Sequence, residues 1–89
     1  MVVIMSLEDR SARIRRDSAV SVATQVARDL EADIETGAIS PDTRLPSEAE
    51  LAQQYGVARI TVRAAIALLR DAGKVVTVHG RGSFTAPSR

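Results

Sequence analysis

Gly56-Val57-Ala58-Arg59-Ile60-Thr61-Val62-Arg63-Ala64-Ala65-Ile66-Ala67-Leu68-Leu69 is the stretch whose reading decides the fold. At helical period, Val62, Ile66 and Leu69 make one apolar stripe, flanked by Ala65 and Leu68. Arg59, Ile60 and Arg63 fall on another face near the helix start. A short helix over Arg59 to Asp71 or Ala72, with one face for a core and two arginines near its first turn, has the form of a DNA-reading helix.

Working outward, Ser47-Glu48-Ala49-Glu50 spells a capping box, with Ser47 at the N-cap and Glu50 at N3. The helix it opens runs to about Tyr55, burying Leu51, Ala52 and Tyr55, and Gly56 ends it. Two short helices joined by a glycine-containing turn make a helix-turn-helix. Before them, Leu45 must be extended, because the residue before Pro46 avoids helical backbone. Ser40-Pro41-Asp42 is turn chemistry. An earlier helix covers about residues 20–36, where Val22, Val26, Leu30 and Ile34 recur every four residues and Gly37 supplies a left-handed stop. Beyond Gly73 the period becomes two. Val75–Val78 and Ser83–Ala86 read as strands around a glycine-rich tip at Gly80-Arg81-Gly82, closed by Pro87. The predicted fold is mainly α with a small β-hairpin, a winged helix-turn-helix spanning residues 19–87.

Residues 1–18 read as an N-terminal arm, disordered or a short helix over Leu7–Arg16 capped by Ser6. The arm has only Leu7, Ala12 and Ile14 to bury. Its arginines, Arg10, Arg13, Arg15 and Arg16, have two readings, a solvated tail or a phosphate-contacting arm. Asp29/Asp33 and Glu31/Glu35, like charges one turn apart, read as a solvated helix face with nothing to raise a carboxyl pKa for acid–base work.

Composition excludes much. Eighty-nine residues suffice for one small domain, which buries only about 60% of its unfolded surface. Tyr55 and Phe84 are the only aromatics and cysteine is absent, so there is no disulfide framework or thiolate chemistry. With His79 the lone histidine, neither a zinc cluster nor a serine-histidine-acid triad is expected. No metal, cofactor or enzymatic function is expected. No apolar run approaches the ~20 residues of a membrane span. Met1–Met5 is too short for a signal-peptide core, so a soluble cytoplasmic chain is expected. The net charge is only +1. Residues 57–89, however, carry Arg59, Arg63, Arg70, Lys74, Arg81 and Arg89 against Asp71, a net of +5. A basic third on an otherwise acidic chain is the electrostatic footprint of a nucleic-acid binder.

Leu45-Pro46-Ser47-Glu48, Leu51-Ala52, Tyr55-Gly56-Val57, Arg59, Thr61-Val62-Arg63, Leu69, Gly73 and Gly80-Arg81-Gly82-Ser83-Phe84 together resemble the DNA-binding domain of the GntR family of bacterial transcription regulators, most of all its HutC-type branch. The resemblance covers about residues 23–86. It implies that Arg59 and Arg63 contact the major groove, with Thr61 a polar position at the same helix start. It places His79 and Gly80 at a wing tip near the minor groove, and Arg44 near phosphate. The chain departs from the family pattern in several places. Ala58 stands where a capping Ser or Thr is usual, which loosens the helix start. Ala49 replaces a frequent arginine, Lys74 an apolar residue and Ala23 an aromatic. Members normally carry a C-terminal effector-binding and dimerising domain, whereas this chain stops at Arg89, and a free-standing module is expected.

The candidate DNA-facing set is Arg44, Ser47, Ala58, Arg59, Ile60, Thr61, Arg63, His79, Gly80 and Arg81. Arg59 has the planar fork that fits guanine O6 and N7. Arg63 is a second reader or a phosphate clamp. Ile60 is partly buried or touches a thymine methyl, and Thr61 bonds phosphate or packs. Arg70 favours the dipole at its helix C-terminus. The expected function is sequence-specific binding of double-stranded DNA, repressing by occlusion, with a homodimer on an inverted-repeat operator. The alternative is a winged-helix protein-interaction module. Bare arginines on the third helix favour DNA, and an exposed apolar patch around Ile60 and Met1–Met5 favours a protein partner.

Overall fold

The computed structural model describes residues 9–87. Three helices, α1 (Val22–Thr36), α2 (Glu48–Tyr55) and α3 (Arg59–Asp71), precede an antiparallel hairpin of β1 (Val75–Val78) and β2 (Gly82–Thr85). This is the winged helix-turn-helix read from the sequence. Among the described residues no helix is long and apolar enough to cross a membrane.

Local chemistry sets the helix ends. The Ser21 hydroxyl accepts from Thr24 N at 3.1 Å to start α1, and Gly37 ends it in the left-handed region. The capping box of α2 forms in full: Ser47 Oγ accepts from Glu50 N at 3.1 Å and Glu50 Oε1 from Ser47 N at 2.9 Å. Gly56, at φ +66°, turns the chain out of α2, and Ala58 begins α3 with no side-chain cap. The core collects Val26 and Leu30 from α1, Leu51 and Tyr55 from α2, and Val62, Ala65, Ile66 and Leu69 from α3, with Ile39, Leu45 and Val75 closing it. Leu68, read as flanking the apolar stripe, is instead exposed.

The wing has a third edge. Leu45 N donates to Ser83 O and Thr85 N to Thr43 O, both at 2.8 Å, so residues 43–45 run along β2 as a short extended segment. Register pairs Val76 with Phe84 and Val78 with Gly82, one residue ahead of the strand expected from Ser83 to Ala86. Lys74, where an apolar residue is usual in the family, extends Nζ to within 2.9 Å of Glu35 Oε2, fastening the hairpin to α1.

The arm departs most from expectation. Its described part is not a solvated tail, and it holds a 3-10 turn at Ser11–Arg13 where a helix over Leu7–Arg16 was expected; residues 6–8 lie outside the described residues. Ile14 joins the core and Arg10 N donates to Gln54 O at 2.7 Å. Arg10 is only 8% exposed. Its Nη1 lies 2.8 Å from Asp29 Oδ2 and 2.7 Å from Asp33 Oδ2, and donates to Tyr55 Oη at 3.1 Å. Tyr55 in turn donates to Asp29 Oδ2 at 2.5 Å. Asp29 and Asp33 are therefore not a solvated face, because one guanidinium bridges the two like charges. Burial pushes the Asp29 carboxyl up, but bonds from Tyr55 and Arg10 and the charges of Arg13 and Arg10 outweigh it. The net result lies below the usual carboxylate range.

Candidate nucleic-acid interface

The first two residues of α3 present their side chains to solvent. The Arg59 side chain is exposed and makes no hydrogen bond or ion pair among the described residues. Ile60 is 70% exposed, which removes the reading that partly buried it in the core. Thr61 is half-buried, and its backbone N donates to Ala58 O at 3.0 Å. With no hydroxyl at Ala58, the opening N–H groups of α3 have no side-chain acceptor.

Arg63, one turn on, is engaged. Its Nη2 donates to Glu48 Oε1 at 3.0 Å and its Nε to Glu48 Oε2 at 3.3 Å. The paired guanidinium lowers the Glu48 carboxyl below its ordinary pKa, with the more distant charge of Arg59 adding to it. The fork of Arg63 is thus held in one orientation before any ligand arrives, at the cost of part of its charge. Glu48 was not among the expected site residues. It lies 15 residues from Arg63, and no local period links them.

A groove of about 360 Å³ runs between the start of α2, the middle of α3 and the wing. Arg44, Ser47, Glu48, Ile66, His79 and Gly80 are among its lining residues, so the fold brings together residues spread over the chain. Arg44 reaches it from the extended segment beside β2. A Cβ on Gly82 would stand 3.2 Å from Arg44 Nε, so the glycine lets the arginine lie across the wing. The Ser47 hydroxyl already accepts the capping bond within α2, which leaves its proton for a ligand. His79 and Gly80 form the exposed tip, where Arg81 N donates to Val78 O at 2.9 Å.

Arg81 is not brought to this groove. Its guanidinium stands 5.9 Å from the Phe84 ring centroid, beside Val76 and Asp42 on the wing's other side. Arg70, expected only to favour the helix dipole, donates to Thr77 Oγ1 at 3.1 Å and ties α3 to β1. Net positive charge, an exposed helix start and an adjoining groove make a surface suited to a polyanion.

Comparison with known proteins agrees with this geometry. Residues 22–85 match the family model described as bacterial regulatory proteins, gntR family. The chain is 37% identical over 73 residues to the HTH-type transcriptional repressor NagR of Bacillus subtilis, covering 82% of this chain and 30% of that protein. It is 40% identical over 84 residues to the HTH-type transcriptional regulator Rv0792c of Mycobacterium tuberculosis, covering 94% and 31%. The chain thus spans under a third of these relatives' length, and both are regulators, not enzymes. The crystal structure of AraR(DBD) in complex with operator ORR3 is similar, with a TM-score of 0.73 and 39% identity, covering 78% of this chain and 83% of that one. A winged helix-turn-helix with this register of motifs, matched over most of its length, belongs to the GntR family of regulatory proteins.

Proposed function

We propose that this chain binds double-stranded DNA sequence-specifically as a transcription regulator, repressing by occlusion. The observation that carries the reading is the bare, uncapped start of α3, where Arg59 and Ile60 stand exposed with Arg63 fixed beside them. Arg59 takes guanine O6 and N7 in the major groove, Arg63 is the second reader, and Ile60 meets a thymine methyl. Thr61 and the backbone at Ala58 lie against phosphate. Arg44 and Ser47 hold phosphate along the groove, while His79, Gly80 and Arg81 follow the minor groove or its flanking backbone. The operator complex of AraR(DBD), similar in fold, supports duplex DNA as the ligand. One module makes a small interface, so useful affinity requires a homodimer on an inverted repeat. The chain works in the cytoplasm without a cofactor.

Ile60 is flanked by Arg59 and Thr61, and Arg63 sits one turn on, so the exposed face is mixed and basic. That weighs against a protein-interaction module. Selection from a randomised duplex pool tests both. Enrichment of an inverted repeat, with half-site centres about 10–10.5 base pairs or a multiple apart, supports the reading. A pool that stays random after repeated rounds contradicts it.

A further inference from the structure

Residues 9–16 precede the 22–85 segment that the family model covers. They are nevertheless bound tightly to the fold. Arg10 and Ile14 are buried, and Gln25 of α1 grips the chain at Arg15, its Oε1 accepting from Arg15 N and its Nε2 donating to Arg15 O, both at 2.7 Å. These contacts deliver Arg16 to one place. Its Nη2 donates to the carbonyl of Gly56, the residue that ends α2 and stands three positions before the start of α3. Ser11 packs on the same turn, and a Cβ on Gly56 would lie 3.1 Å from Ser11 Cβ.

The arm's arginines differ in what balances them. Arg10 and Arg13 are paired with Asp29, and Arg15 lies 3.7 Å from Asp17. Arg16 is exposed and has no acidic partner among the described residues. A guanidinium carries five donors, and one bond to a carbonyl leaves the rest facing water. Its backbone is anchored through Arg15, so less chain has to be ordered to meet a ligand. The adjoining first turn of α3 adds the positive end of a helix and the charge of Arg59.

We propose that the arm extends the DNA-contacting surface, with Arg16 a phosphate contact beside the helix-turn-helix turn. This rests on the DNA-binding reading above and adds a sequence-independent contact to it. Arginine suits the role because its planar fork matches phosphate oxygens.

The experiment is salt-dependent binding of the 89-residue chain to two duplexes, one of random sequence and one enriched by selection, for wild type, Arg16→Gln and Arg16→Lys. Arg16→Gln should lower the slope of log affinity on log salt by about one unit. The fall in affinity between 50 and 200 mM salt then shrinks by about fourfold. The loss should be equal on both duplexes, and Arg16→Lys should keep the wild-type slope. An unchanged slope in Arg16→Gln overturns the proposal. Equal losses in both variants with a lowered melting temperature also overturn it, leaving only a bond that braces the turn. A wild-type chain with no preference between the duplexes contradicts the DNA-reading function instead, and leaves the slope comparison readable.

Discussion

Arg10 and Arg59 are the same residue put to opposite uses. Arg10 is sunk between α1 and α2, with two carboxylates and a phenol around one guanidinium nitrogen. Arg59 stands in water at the start of a helix that lacks even a capping hydroxyl. Burial makes the first a brace, whose charge is spent inside the fold. Exposure leaves the second free to exchange water for a nucleic acid. The comparison teaches that a basic count says little about DNA binding until each cation has been assigned its acid.

Breaking the brace should have the largest effect. Arg10→Met leaves Asp29 and Asp33 facing each other, half-buried, and should cost about 3 kcal/mol of stability. For a domain of this size that lowers the melting midpoint by about 10–20 °C. A midpoint within two or three degrees of wild type would mean that Arg10, whose Nε finds no acceptor among the described residues, returns no more than its desolvation takes.

Acid probes the same network from the other side. The folded-state pKa of Asp29 lies below its ordinary value of 3.8. The network therefore contributes its full stability above that pH and loses it as pH falls through the lower folded value. Denaturation midpoints measured from pH 5 downward should decline below about pH 4 in wild type. The decline should be shallower in Asp29→Asn, and equal declines would contradict the assignment.

Ala58→Ser sharpens the exposed side. A serine at the N-cap supplies the acceptor that α3 lacks, and should add about 1 kcal/mol to unfolding stability with an unchanged denaturant slope. No gain would show that the opening N–H groups are already satisfied by water. The smallest effect is expected at the wing. Arg81→Gln should change the salt slope by about one unit if the arginine leaves Phe84 to meet phosphate. An unchanged slope would keep Arg81 as a cation stacked on the wing.

Much of the helix-turn-helix was legible because its determinants are local. The capping box lies within four residues, and Gly37 and Gly56 end helices at the positions where they stand in the chain. The hairpin followed from period two, although its edge segment at residues 43–45 needed long-range pairing to appear. The arm was not legible. Arg10 meets Asp29 across 19 residues and Tyr55 across 45, and in sequence it is one arginine among four in the arm. The Glu48–Arg63 pair was hidden for the same reason. Ile60 falls on the face away from the Val62, Ile66 and Leu69 stripe, so helical period agrees with its exposure and only its apolar character suggested burial.

The central claim is that the start of α3 reads bases. Its most direct test is equilibrium binding of wild type and Arg59→Ala to a selected duplex and to a random one, at one salt concentration. The variant should lose about 10–100-fold in preference for the selected site while still binding both duplexes weakly and salt-dependently. A variant that keeps the wild-type preference would contradict the claim.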